Sequence, residues 1–137
     1  MRNYDLIVIG SGPAGEKGAA IAAHFGKSVA LVQREVVPGG ACTNTGTIPS
    51  KTLRESAMHL SGFRRRGLYS MDQPFREHIT IGDFLQRKRE VVEKEWDMIE
   101  ENMRWHGIDR YRGTGRFVSP HEIVVDTPGY DITLHGE

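Results

Sequence analysis

The first apolar segment of the chain is a short continuous run over residues 4–9 (YDLIVI), which ends at Gly10. Such a run is typical of a strand buried on both faces of a parallel sheet. Residues 14–25 are rich in alanine with apolar side chains at helical spacing, and residues 28–32 (SVALV) form a second apolar run. The three segments predict one βαβ unit, and therefore an α/β fold.

The pattern changes after this unit. Residues 33–47 contain Pro38 and three glycines without any periodicity, which predicts an extended loop rather than an element. Pro49 suits the first turn of a helix over residues 49–62. The arginines at positions 64–66 beyond it are interpreted as a solvated patch, with a contact to a nucleotide phosphate as the alternative. Apolar pairs that recur every seven residues predict a long packing helix over residues 81–106.

The last part of the chain, from residue 109 onward, has glycines and two prolines between short alternating apolar segments. This pattern predicts small antiparallel strands near residues 116–118, 122–126 and 131–135. A chain of 137 residues is the length of one domain.

Composition restricts the partners and the compartment. The chain has 18 basic and 18 acidic side chains, so no net field favours nucleic acid or an anionic membrane. The single cysteine, Cys42, excludes an intrachain disulfide and favours a reducing compartment, and we expect the cytoplasm. The apolar run near the N-terminus is too short for a membrane span, and the six histidines lack metal-ligand spacing. We therefore expect small molecules or other protein chains as partners, and no metal.

A glycine-rich turn separates the first predicted strand from the first predicted helix. It reads Gly10, Ser11, Gly12, Pro13, Ala14 and Gly15. In this context a G-x-G-x-x-G turn is a dinucleotide fingerprint: Gly10 permits the tight turn, Gly12 leaves room for the pyrophosphate, and Gly15 lets the helix pack close to the strand. The N–H groups at the helix start and the positive end of its dipole would bind the diphosphate.

The second strand is followed by Gln33, 18 residues after Gly15, where an acidic residue that binds the adenosine ribose is usual. The amide oxygen of Gln33 can accept one ribose hydrogen bond, more weakly than a carboxylate would. Glu35 is close in sequence and is expected to face away. Arg34 could instead pair with the phosphate of a phosphorylated ribose, and this alternative stays open.

Residues 39–51 read GGACTNTGTIPSK and resemble the redox-active segment of the pyridine nucleotide-disulfide oxidoreductase family. In that family a G-G-x-C-x-N-x-G-C-I-P-S-K stretch lies along FAD and carries a cysteine pair beside the isoalloxazine ring. Here Cys42 matches the first cysteine and Thr47 stands at the second, so a dithiol cannot form. The resemblance continues at residues 51–54 (KTLR) and 113–117 (GTGRF), and so covers nearly the whole chain.

The resemblance implies a three-layer Rossmann-like FAD-binding domain, of which residues 1–137 are the N-terminal part; the rest of that domain, the NAD domain and the interface domain would lie outside the chain. It implies that Lys51 and Thr47 approach the flavin and that Gly115 meets the adenine through its backbone. The predicted cofactor-binding residues are Gly10, Ser11, Gly12, Pro13, Ala14, Gly15, Gln33, Arg34, Glu35, Gly39, Gly40, Ala41, Cys42, Lys51 and Gly115.

The threonine form of the motif is similar to that of family members that transfer hydride between NADPH and NAD through the flavin, without a thiol relay. The resemblance thus implies FAD as the cofactor, NAD and NADP as substrates, and a homo-oligomeric full-length protein. Two other classes stay open: a dihydrolipoamide dehydrogenase- or mercuric reductase-like flavoenzyme, which the missing second cysteine disfavours, and a non-catalytic FAD- or NAD-binding module. Cys42 is interpreted as a packing residue; Lys51 could be an ordinary helix-start lysine, and Thr47 a helix cap.

Overall fold

The computed structural model describes residues 2–66 and 80–137, apart from the side chains of residues 62–66. The predicted role of the arginines at positions 64–66 therefore lies outside the described side chains. The elements in chain order are β1 (Arg2–Tyr4), β2 (Leu6–Ile9), α1 (Pro13–His24), β3 (Val29–Gln33), α2 (Gly40–Asn44), α3 (Thr47–Arg66), α4 (Ile81–Trp105), β4 (Asp109–Arg112), β5 (Thr114–Ser119), β6 (Glu122–Thr127) and β7 (Tyr130–Gly136).

A parallel sheet in the order β2-β3-β4 carries the predicted βαβ unit. Its central strand β3 is buried on both faces: Val29 and Leu31 pack toward the helices, whereas Ala30 and Val32 pack toward the second sheet. This alternation is why the segment reads as a continuous apolar run. The prediction of a strand, a helix and a parallel strand is confirmed.

The second sheet has the order β1-β7-β6-β5 and contains the three strands predicted near the end of the chain. Strands β5, β6 and β7 are antiparallel neighbours, while β1 joins β7 in parallel. Its buried side chains Ile123, Val125 and Leu134 share a core with one face of the parallel sheet. Residues of α1 and α4, including Ala19 and Met103, cover the other face. The domain is therefore a three-layer α/β fold, as predicted.

The prediction of one strand over residues 4–9 is wrong at its start, because the chain bends at Asp5: Tyr4 ends β1 in the second sheet, and β2 starts at Leu6 in the parallel sheet. The carboxylate of Asp5 accepts hydrogen bonds from the backbone nitrogen of Ser28 (2.7 Å) and from its Oγ (2.6 Å). The side chain of Lys27 adds an ion pair at 3.1 Å. Asp5 thus fixes the bend to the turn before β3.

The prediction of an element-free loop over residues 33–47 is also wrong, since the segment contains the short helix α2. Gly39 has φ 93° and Gly40 φ 56°, conformations that a residue with a side chain rarely adopts. The amide nitrogen of Asn44 donates to the carbonyl oxygens of Pro38 (2.9 Å) and Gly40 (2.8 Å), which holds the turn against the helix. Helix α3 starts at Thr47, two residues before the predicted start at Pro49.

The long helix predicted over residues 81–106 is confirmed as α4, and a capping box formed by Thr80 and Asp83 fixes its start. Asn102 of α4 donates to Glu16 Oε1 of α1 over 2.7 Å, so the two helices are joined on the same face of the sheet. The strand β4 was not predicted, because its sequence DRYR has one apolar side chain, Tyr111, that is buried.

Candidate functional site

A cleft of about 610 Å³ opens where β2 and β3 end. Open parallel sheets bind their ligands at the carboxyl ends of the strands, and this cleft has that position. Most of the predicted cofactor-binding residues line it: Gly10, Ser11, Gly12, Gln33, Arg34, Glu35, Gly40, Ala41 and Gly115. Seven further lining residues were not predicted from the sequence: Ile9, Val32, Val37, Asn44, Thr45, Gly113 and Thr114.

The glycine-rich turn forms one wall of the cleft, and Gly10 and Gly15 are needed for its shape. Gly10 has φ 100°, and its N–H donates to the carbonyl oxygen of Val32 over 2.8 Å. A Cβ on Gly15 would overlap the carbonyl oxygen of Gly10 and come within 3.1 Å of Val8 Cγ1. Helix α1 therefore packs directly on the end of β2, as the fingerprint predicts.

Gly12 lies at the N-cap of α1 and faces open space. A Cβ built on Gly12 meets nothing within 4 Å, whereas a Cβ on Gly40 would come within 3.1 Å of Gly12 Cα. No side chain caps the first turn of α1. The backbone N–H groups at the helix start and the empty volume beside them fit a diphosphate group, which a helix N-terminus binds through these groups and its dipole.

Gln33 lies at the edge of the cleft, but its amide group bonds within the protein. Its Oε1 accepts hydrogen bonds from the backbone nitrogen of Ser11 (3.0 Å) and from Ser11 Oγ (2.8 Å). Its Nε2 donates to the carbonyl oxygen of Val37 over 3.0 Å. The ribose contact of Gln33 stays a prediction, and both acceptor positions of the amide oxygen are used by Ser11 in this arrangement.

Arg34 and Glu35 follow β3 on the rim of the cleft. Arg34 Nε and Glu35 Oε1 form an ion pair at 3.0 Å, and both side chains are exposed. Glu35 was expected to face away from the ligand, and it lies among the residues that line the cleft.

The residues around the cleft match a known family over most of the chain. Residues 4–132 fit the family model described as pyridine nucleotide-disulphide oxidoreductase. The chain belongs to this family. The resemblance predicted from residues 39–51 is thereby confirmed.

Several similar curated proteins are named soluble pyridine nucleotide transhydrogenase. The chain is 47% identical over 126 residues to the soluble pyridine nucleotide transhydrogenases of Mycobacterium bovis and Mycobacterium tuberculosis. The matched segment covers 92% of this chain and 27% of each relative. The chain is 33% identical to the soluble pyridine nucleotide transhydrogenase of Chromohalobacter salexigens, over 91% of this chain and 27% of that relative. The chain thus spans about a quarter of the length of the relatives it matches.

A solved flavoprotein structure has the same fold over this chain. The flavoprotein disulfide reductase RclA from Escherichia coli, in its Cu(II) complex, matches 99% of this chain and 27% of its own with a TM-score of 0.80 and 30% sequence identity. Within the described ranges 2–66 and 80–137, no helix is long and apolar enough to cross a membrane. The same ranges hold no cluster of three or more potential metal ligands.

The family motif is distributed over α2 and the start of α3. Cys42 lies on α2 with its side chain half-buried, and Thr47 and Lys51 are exposed in the first turns of α3. None of these three side chains lines the cleft. Gly115 does line the cleft. A Cβ at this position would come within 3.3 Å of side-chain atoms of Ile9 and Val32, so a larger residue would crowd the strands.

Proposed function

We propose that the chain is the N-terminal part of the FAD-binding domain of an enzyme that transfers hydride between NADPH and NAD. The observation that carries this proposal is Thr47, which stands where the disulfide-reducing members of the family have their second cysteine. The 47% identity to proteins named soluble pyridine nucleotide transhydrogenase supports the same proposal. Because the chain spans 27% of those relatives, the nicotinamide sites would lie outside it.

The cleft fits the ADP half of FAD. The N–H groups at the start of α1 would bind the diphosphate beside Gly12, and the backbone around Gly115 would contact the adenine. Gly39 and Gly40 would allow the backbone of α2 to approach the cofactor closely. FAD, when bound, accepts a hydride at its isoalloxazine ring and donates it to a second nicotinamide.

Lys51 and Thr47 are proposed to lie near the flavin. A cation at the start of α3 would stabilise negative charge on the ring, and the exposed side chain of Lys51 could supply that cation. Thr47 would offer a hydroxyl hydrogen bond in place of a thiol. The proposal extends to a cytoplasmic protein, because a single cysteine suits a reducing compartment. It also includes a homo-oligomeric full-length protein, as the resemblance to the family implies.

A second candidate is a disulfide-reducing flavoenzyme. It is favoured by Cys42, which retains the first position of the family's cysteine pair, and by the likeness to RclA, a flavoprotein disulfide reductase. This candidate requires a partner thiol from outside residues 1–137, because the chain has one cysteine.

The test uses the full-length protein that contains this chain. The purified protein should bind FAD and should transfer hydride from NADPH to an NAD analogue whose reduced form absorbs at a distinct wavelength. Lipoamide and glutathione disulfide, offered as alternative acceptors with either nicotinamide, should not be reduced. A protein that reduced a disulfide and transferred no hydride between nicotinamides would replace the first candidate with the second.

A further inference from the structure

The side chain of Gln33 joins three parts of the cleft wall. Its Oε1 accepts two hydrogen bonds from Ser11 in the glycine-rich turn, and its Nε2 donates to the carbonyl oxygen of Val37 in the segment before α2. Ser11, which is 1% exposed, also accepts a bond from the N–H of Gly39 at its carbonyl oxygen (3.0 Å). Gln33 therefore connects the end of β3, the glycine-rich turn and the segment that leads to α2.

These partners fix the orientation of the amide. The backbone N–H of Ser11 requires an acceptor, and the carbonyl oxygen of Val37 requires a donor, so the oxygen faces Ser11 and the nitrogen faces Val37. A carboxylate at position 33 could accept the bonds from Ser11 but could not donate to Val37, and it would place an anionic oxygen against a carbonyl oxygen. The amide thus bonds to Ser11 and Val37 at the same time, which the acidic residue usual at this position cannot do.

Glu35 is the carboxylate that remains available on the same rim. It lines the cleft two residues beyond Gln33, and its ion pair with Arg34 uses Oε1. A carboxylate is a stronger acceptor for hydroxyl groups than an amide. Its exposure leaves room for a ligand, since the side chain is 63% accessible.

We infer that Gln33 positions the cleft wall in this chain, and that Glu35 performs the task usual for an acidic residue at position 33: it accepts hydrogen bonds from the adenosine ribose hydroxyls of the dinucleotide. The inference rests on the proposed FAD site. Gln33 acts through Ser11 and Val37, whereas Glu35 contacts the ligand itself.

The experiment measures binding to the full-length protein after its FAD has been removed. Two probes are titrated: FAD, and an FAD analogue that lacks the 2′ and 3′ hydroxyls of the adenosine ribose. The variants are Glu35→Gln, Gln33→Glu and the control Glu93→Gln, which removes the same charge from the exposed surface of α4. Each Kd is paired with a thermal unfolding curve of the apoprotein.

Glu35→Gln should weaken FAD binding by about tenfold and leave binding of the analogue nearly unchanged, because a charge-assisted hydrogen bond to the ribose is lost. Gln33→Glu should weaken both probes by a similar factor and lower the unfolding temperature, because the tie to Val37 is lost. Glu93→Gln should resemble the wild type in every measurement.

If Glu35→Gln still bound FAD and had the same ratio of the FAD Kd to the analogue Kd as the wild type, the role of Glu35 would be overturned. The proposed FAD site would not be affected by that result. A Gln33→Glu variant that bound FAD more tightly with the analogue unaffected would also overturn the inference, since position 33 would then hold the ribose. A wild-type protein that bound neither probe would overturn the proposed FAD site as well.

Discussion

The indole Nε1 of Trp96 in α4 donates a hydrogen bond to Asn44 Oδ1 in α2 over 2.8 Å. The amide nitrogen of the same asparagine donates to the carbonyl oxygens of Pro38 and Gly40, on either side of the left-handed Gly39. A residue on the long packing helix is thereby connected to the turn that closes the cleft. Helix α4 positions part of the site as well as covering the sheet.

Trp96→Phe should therefore weaken FAD binding as well as stability. The substitution retains most of the aromatic packing and removes the donor, so Asn44 Oδ1 loses its partner; a loss of about 1 kcal/mol in the free energy of unfolding is expected. Urea unfolding and FAD titration of the full-length protein measure the two effects. The control is Trp105→Phe at the end of the same helix, where the side chain is 85% exposed. Equal FAD affinity in Trp96→Phe and wild type would show that α4 does not position the turn.

The sequence predicts the parts of the fold that depend on local pattern. The buried run of β3 and the seven-residue repeat of α4 are visible because each buries apolar side chains at regular spacing. The split at Asp5 could not be predicted, because it depends on hydrogen bonds to Ser28, 23 positions away. Strand β4 was missed because a mostly polar strand takes its place through backbone pairing with β3.

In the candidate site, too, features with a local sequence pattern can be predicted, whereas contacts between distant residues cannot. The glycines are recognisable because the backbone geometry they permit leaves a fixed spacing in the sequence. The hydrogen bonds of Gln33 and the contact between Trp96 and Asn44 join residues distant in sequence or in different elements, and residue type alone does not reveal them.

Gly15→Ala should destabilise the fold. The new Cβ would overlap the carbonyl oxygen of Gly10, which is backbone and cannot rotate away, so α1 must move from β2. We expect a loss of about 2 kcal/mol or more in the free energy of unfolding, in the range of overpacked cores. Gly18→Ala is the matched control on the same helix: its Cβ meets nothing within 4 Å, and a gain of about 0.5–1 kcal/mol is expected from helix propensity. Urea unfolding measures the stability of both variants. Equal unfolding midpoints for Gly15→Ala and the wild type would contradict the packing role of Gly15.

Gly12→Val should abolish cofactor binding without unfolding the domain. Gly12 has φ −65° and open space around its missing Cβ, so the backbone accepts a side chain while the volume beside α1 is filled. The variant should purify without FAD and should keep the thermal stability of the wild-type apoprotein. Gly18→Val provides the control for adding the same side chain outside the cleft. A Gly12→Val protein that retained stoichiometric FAD would remove Gly12 from the binding site.

The stability of the bend at Asp5 should depend on pH. Hydrogen bonds from the side chain and then the backbone of Ser28, with a further bond from Lys27, lower the pKa of the Asp5 carboxyl from its usual 3.8 to about 2. Because the folded pKa lies below the unfolded one, the carboxylate stabilises the folded protein above about pH 4, and this contribution is lost as the pH falls toward 2.

Asp5→Asn should accordingly be less stable than the wild type near neutral pH, with a difference in urea midpoint that is constant down to about pH 5 and shrinks below about pH 4. Asp97→Asn, on the exposed surface of α4, should show no such trend. A difference between Asp5→Asn and wild type that stayed the same down to pH 3 would mean that charge on Asp5 does not stabilise the bend.

Cys42 should be dispensable for the proposed reaction. Disulfide reductases use a cysteine pair, but here the second position is Thr47, whose hydroxyl cannot supply a thiolate or a disulfide at neutral pH. Cys42→Ser in the full-length protein should therefore leave hydride transfer from NADPH to an NAD analogue unchanged, and alkylation of thiols should not inhibit the wild type. The FAD content of each sample separates lost cofactor from lost chemistry. If Cys42→Ser retained FAD and lost hydride transfer, Cys42 would be acting with a thiol from outside this chain, and the disulfide-reducing candidate would be the better description of the enzyme.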